Sequence, residues 1–147
     1  MSEGFALDPR LAANTFVVGG TPLSQLLLMN DARYPWLILV PRRCDVTEPF
    51  ELSEADQAQL WRESMRLGEA MKAHFAADKL NIAALGNQVA QLHVHHIARF
   101  HADDGWPGPV WGVGSAVPYC HAALEALMNE LRSLLQQPLG LTAANHE

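Results

Sequence analysis

The chain has little cysteine, little positive charge and no long apolar run, and each shortage removes a class of protein from consideration. Cys44 and Cys120 are the only two cysteines and have no CxxC spacing, which excludes a zinc knuckle and a disulfide framework and leaves free thiols as the expectation. Ten Lys and Arg stand against sixteen Asp and Glu, for a formal net charge of -6. Sequence-independent affinity for nucleic acid comes from basic side chains that neutralise phosphates, so no nucleic-acid partner is expected and any phosphate site should be small. Apolar runs fall far below the ~18 residues of a membrane span, and the first ten residues are acidic and interrupted by Pro9. No membrane partner is expected, and the cytoplasm is the expected location. No repeat period and no low-complexity stretch appears, which excludes solenoids and propellers.

What is present fits one ordinary globular domain over residues 1–147, with 49% apolar and 18% charged residues and no linker that would divide it. Asn14 to Val18 and Gln25 to Met29 are short apolar segments separated by Gly19-Gly20-Thr21-Pro22, a hairpin or meander pattern. Trp36 to Val40 is an apolar, partly β-branched run ended by Pro41, which predicts a buried strand. Ser53 opens a capping-type sequence, and Leu60, Ser64, Leu67, Met71 and Phe75 recur at helical spacing, predicting a helix from Ser53 to Phe75. Leu80 to Leu85 and Gln91 to Ala98, joined by Gly86-Asn87, read as two central antiparallel strands. Leu124, Leu127, Leu131 and Leu134 mark a second helix, which Pro138 is expected to stop. The aromatic loop from Trp106 to Trp111 either caps the core or folds over a ligand or partner. Strands clustered by hairpins, with helices between the clusters, predict an α+β sheet.

Chemistry concentrates in Gln91-Leu92-His93-Val94-His95-His96-Ile97-Ala98-Arg99. On a strand, side chains alternate faces, so Gln91, His93, His95 and Ile97 point one way. Leu92, Val94, His96 and Ala98 point the other, toward burial against a helix. His96 therefore reads as a core or interface histidine, while His74, His121 and His146 read as structural or surface residues. The His93 and His95 pair is the candidate functional row, because three histidines in four β-rich positions are hard to justify as packing.

Two chemistries suit such a pair. His-x-His can supply two ligands to zinc or another first-row metal, but His101, Asp103 and Asp104 match no strong spacing for a third. Alternatively, one imidazole attacks phosphorus and forms a covalent intermediate. That role needs a neutral ring whose other nitrogen donates to a fixed acceptor such as a backbone carbonyl. His95, Gln91, Asn87 and nearby backbone N–H groups could then donate to the phosphoryl oxygens. Arg42, Arg43 and Arg99 are the nearest permanent charges to the strand candidates and the candidate cations of a phosphate site, and Arg99, which adjoins the histidine segment, is expected to contact the substrate.

The run from Gly86 to Arg99 resembles the signature of histidine-triad proteins, His-φ-His-φ-His-φ-φ after a Gly-Gln-type turn. Leu28-Met29-Asn30, the run Tyr34 to Pro41 and the helix start Phe50-Glu51-Leu52-Ser53 extend the likeness over roughly residues 14 to 100. The resemblance implies an α+β fold with a five-stranded antiparallel sheet and two main helices, a homodimer with a continuous sheet, and a nucleotide bound across the signature strand. By position it makes His93 the nucleophile, His95 a phosphate-side donor, Asn30 a ribose contact and Asn87 the polar residue of the turn near the phosphates. It implies no cofactor and no metal. The expected function is a hydrolase or transferase cleaving a dinucleoside polyphosphate or nucleoside phosphoramidate through a nucleotidyl-histidine intermediate. Three positions depart from the pattern. Gln91 stands where the first histidine belongs, Trp36 where another histidine is common, and His96 where an aliphatic residue is usual. Gln91 favours the alternative of a non-catalytic nucleotide-binding or regulatory protein, and a metal-dependent hydrolase is the third expectation.

Overall fold

The computed structural model describes residues 4–143 and has the expected α+β architecture, with a five-stranded antiparallel sheet. In chain order the elements are α1 (Pro9–Ala13), β1 (Thr15–Gly20), β2 (Ser24–Met29), β3 (Trp36–Pro41), a 3-10 turn (Pro49–Glu51), α2 (Glu54–His74), β4 (Lys79–Ala83), β5 (Val94–Arg99) and α3 (His121–Leu139). The sheet order is β1-β2-β3-β5-β4. Among the described residues no helix is long and apolar enough to cross a membrane.

Both faces of the sheet are covered, which explains why all six residues of β3 are buried and why its sequence is one continuous apolar run. On one face Leu26, Leu28, Leu37, Leu39, Val94 and Ala98 pack with Leu67 and Met71 of α2 and Leu131 and Leu135 of α3. On the other, Leu27, Trp36, Ile38, Val40 and Ile97 form a second cluster with Tyr34, Val110 and Leu11 of α1. The alternation of the two sets along β2, β3 and β5 is the pleat of the sheet. Ser53 caps α2 by accepting the Asp56 N–H at 3.1 Å, and Phe75 closes its other end. Glu63, buried on α2, accepts the Thr21 hydroxyl at 2.7 Å and the Leu23 N–H at 3.0 Å, which ties the β1-β2 turn to the helix.

Several expectations need correction. Of the two strands expected at the centre, β5 is interior but β4 is an edge. They are not joined by a two-residue hairpin at Gly86-Asn87, because β4 ends at Ala83 and β5 begins only at Val94. The Leu92 N–H is drawn to the carbonyl of Val46 at 2.9 Å, so this stretch leaves the β4 ladder. Gly19 and Gly20 lie within β1, and the turn falls after them. Pro138 does not stop α3. The helix runs on to Leu139 and ends at Gly140, whose φ of 59° supplies the left-handed cap. His146 lies outside the described residues.

Candidate active site

His95 sits in β5 opposite Ile38 of β3 and Ala83 of β4, while His93 is one residue ahead of the strand. Both belong to the face that carries Ile97 and Trp36, and their rings meet edge to face with centroids 4.8 Å apart. Both are nearly enclosed, at 5% and 4% exposure.

The hydrogen bonds of the two rings fix their tautomers. His93 Nδ1 lies 2.6 Å from the carbonyl oxygen of Gln91. A carbonyl can only accept, so Nδ1 carries a proton, and in the neutral ring Nε2 holds the lone pair. The Trp36 indole N–H donates to His95 Nδ1 at 3.0 Å. An indole can only donate, so the proton of neutral His95 is on Nε2. Burial first, and then proximity to the His93 ring, pushes His95 down to about 4, with the Leu85 backbone opposing part of the effect and His96 adding a smaller push in the same direction. At neutral pH His95 is therefore an uncharged Nε2–H donor. That nitrogen is buried and has no well-formed hydrogen bond among the described residues. Trp36, which stands where another histidine is common, thus supplies a polar contact to the site.

His96 faces the opposite side, fully buried, with Nε2 at 2.7 Å from the Ser64 hydroxyl of α2. Burial holds it at about 4 against weaker opposing contacts from the Val94 and Leu37 backbones. It ties the sheet to the helix and lies away from the His93 side.

Two cavities meet at His93. The larger, of about 340 Å³, has an apolar wall that includes Leu11, Met29, Trp36 and Trp111, and a polar rim of Arg10, Asn14 and Asn87. Its size suits a small organic ligand. The smaller, of about 240 Å³, is lined by Thr47, Glu48, Gly86, Asn87 and Gln91. Asn87 borders both. It is held there by the tight path of the loop: a Cβ on Gly86 would stand 2.8 Å from the Val89 carbonyl oxygen and 3.6 Å from His93 Cε1. Trp111 packs edge on to both Trp36 and His95, so the aromatic loop both caps the second core and walls the site.

The structure brings His93, His95, Asn87 and Gln91 together but leaves Asn30 and Arg99 out. Asn30 Oδ1 accepts the Tyr119 N–H at 2.9 Å, and the residue lines neither cavity. Asn14, one strand over, occupies the rim instead. Arg99 is 1% exposed and spends its guanidinium on both oxygens of Asp103, at 2.8 and 3.0 Å, and on Asn81 Oδ1 at 2.9 Å. It also lies over the rings of Tyr34 and Trp106. Its ligand contact is thus corrected to a buried structural ion pair that holds the start of the aromatic loop. Arg43 is likewise bound to Asp56, and Arg42 donates to the carbonyls of Thr21 and Pro22. Among the described residues no three His, Cys, Asp or Glu side chains cluster as a metal site. Arg10 and Asn14 are missed by sequence reasoning, whereas the aromatic loop ending at Trp111 is among its candidates for contact with a ligand.

With this geometry in hand, similarity to known proteins is informative. Residues 10–102 match the HIT domain, and the chain belongs to the histidine triad family. A histidine triad protein from Marinobacter aquaeolei VT8 is 47% identical, with a TM-score of 0.89 over 90% of this chain and 97% of that one. A histidine triad protein from Sinorhizobium meliloti 1021 is 45% identical, with a TM-score of 0.88 over 92% of this chain and 100% of that one. A hypothetical histidine triad nucleotide-binding protein from Sulfolobus tokodaii strain7, at 16% identity and a TM-score of 0.62, shares the fold over 92% of this chain and 95% of that one. No curated protein matches the chain.

Proposed function

We propose that this protein binds a nucleoside phosphate conjugate in the larger cavity and cleaves it through a covalent intermediate on His93. The observation that carries the reading is the bond from His93 Nδ1 to the Gln91 carbonyl, which makes Nε2 the lone-pair nitrogen of the neutral ring, in a cavity beside a neutral His95. The apolar wall accepts the nucleoside, and Asn87 and His95 Nε2–H donate to the phosphoryl oxygens. His93 Nε2 attacks the α-phosphorus as the bond to the leaving group breaks, and the leaving group departs with the bonding electron pair. Water then attacks phosphorus and gives up a proton to solvent, the P–N bond breaks with its electron pair returning to Nε2, and the nucleotide is released. His95 Nε2–H is buried and makes no well-formed hydrogen bond, having only a weak interaction with the Leu85 backbone, so a phosphoryl oxygen would satisfy it better. Dinucleoside polyphosphates and nucleoside phosphoramidates are the substrate classes.

A second reading, a non-catalytic nucleotide-binding protein, is favoured by Gln91. Its amide is bound to the backbone of Ala6 and Asp8 and offers a substrate neither charge nor proton. Release of mononucleotide from a panel of both substrate classes, lost in His93→Ala, supports the first reading. Binding without release supports the second. The homodimer is part of the proposal: β4 is a sheet edge, with Ile82 41% exposed, and pairing of two such edges would continue the sheet. Light scattering of the purified protein tests it.

A further inference from the structure

Gln91 grips the chain ahead of α1 in the way one residue of a β-ladder grips another. Its Oε1 accepts the Asp8 N–H at 2.8 Å and its Nε2 donates to the Ala6 carbonyl at 2.9 Å. A primary amide carries donor and acceptor side by side and can meet both groups of an extended segment at once. The two nitrogens of an imidazole lie on different edges of the ring and cannot. The grip fixes the start of α1, where the Asp8 side chain caps the helix by accepting the Arg10 N–H at 2.8 Å.

Arg10 is thereby set on the rim of the larger cavity. Its Nη1 donates to the Gln88 carbonyl at 2.9 Å, which links α1 to the loop that carries Asn87. Nε and Nη2 donate to the Asp8 carboxylate at 3.2 Å each. A guanidinium carries more N–H donors than these contacts use, and the side chain is 64% exposed. Exposed ion pairs of this kind contribute little, so a phosphate can take over from Asp8 at little cost. Charge gives the position its weight. Among the described residues lining the two cavities, Arg10 is the one lysine or arginine, Glu48 lies in the smaller cavity, and the chain carries a net charge of -6. Arg42, Arg43 and Arg99, the cations near the strands, are bonded elsewhere.

We propose that Arg10 is the anion-recognition residue of this site, held in place by Gln91 as a positioning residue, and that it selects substrates with phosphates beyond the one attacked. The inference rests on the nucleotide reading of the cavity and deepens it: polyphosphate conjugates are preferred over phosphoramidates, which carry a single phosphorus. It also gives the glutamine a task of its own.

The test is calorimetric titration of the whole protein with adenosine, AMP and α,β-methylene-ADP at low and moderate salt. The native protein should bind α,β-methylene-ADP more tightly than AMP, with the gain shrinking as salt rises. Arg10→Ala should cut that preference roughly tenfold while adenosine affinity and thermal stability stay put. Arg10→Lys should keep part of it, and Gln91→Ala should lose it in the same way as Arg10→Ala. An Arg10→Ala protein with the native preference overturns the assignment. A Gln91→Ala protein that keeps the preference overturns the positioning role. Failure of all three probes to bind would instead overturn the nucleotide reading beneath both.

Discussion

Acidification should unload the fold through two histidines, and the size of the effect follows from their burial. His95 and His96 are both held at about 4, against an ordinary value of 6.5, chiefly because burial disfavours the charged ring. Between those values the unfolded chain takes up a proton at each site and the folded chain does not. Stability is therefore unaffected by them above about pH 6.5 and falls as the pH drops from there toward 4. The displacement corresponds to about 3 kcal/mol for each histidine, a large share of the 5–15 kcal/mol typical of a domain, with a limiting slope of about 2.7 kcal/mol per pH unit for the pair. Asp103, held at about 2 mainly by its bonds to Arg99, loses its contribution only as the pH falls below 3.8, outside this window. Urea unfolding at a series of pH values from 7 to 4.5 should show a falling midpoint at constant m-value. His96→Gln can keep the contact to Ser64 but cannot titrate, so it should reduce the slope by about half. A native midpoint flat from pH 7 to 5, or a His96→Gln protein with the native slope, would refute the reasoning.

Other consequences can be measured separately. Trp36→Phe keeps an aromatic ring in the wall but removes the N–H that fixes the His95 tautomer. It should lower kcat by roughly tenfold or more with little change in KM, read from steady-state kinetics on a dinucleoside polyphosphate. Asp103→Ala strands the Arg99 guanidinium, which is 1% exposed, and should cost about 3–5 kcal/mol in urea unfolding. Because Asp103 also accepts the N–H groups of Phe100 and Trp106, this variant should loosen the aromatic loop and raise KM as well.

The parts of the fold legible in the sequence are those governed by local periodicity. The alternation from Leu92 to Ala98 placed His93 and His95 on one face and His96 on the other because the pleat of β5 repeats every second residue. The Ser53 cap and the Leu60, Leu67 and Met71 spacing located α2 to within a residue at each end. What stayed hidden depends on distant partners. The Gln91 amide bonds the backbone more than eighty residues away, at Ala6 and Asp8, and α1 has only five residues, too few for a periodic signal. Arg99 looked like a phosphate ligand because it is a charge beside the histidines, and nothing local announced that Asn81 and Asp103 would enclose it. Asn30 follows a strand of the expected sequence but turns its oxygen to Tyr119, near the start of α3. Pro138 misled because a proline in the final turn removes a single N–H, which the helix tolerates until Gly140 ends it.

The central claim is that His93 forms a covalent bond to the substrate's phosphorus. Metal-stripped protein should be mixed with a dinucleoside polyphosphate or adenosine phosphoramidate, quenched in base within the first turnover, digested and analysed by mass spectrometry. The account predicts an added nucleotidyl mass on the peptide containing His93, localised to that residue and missing in His93→Ala. Mononucleotide release with no adduct on His93 at any quench time, or with the adduct on another residue, would contradict it.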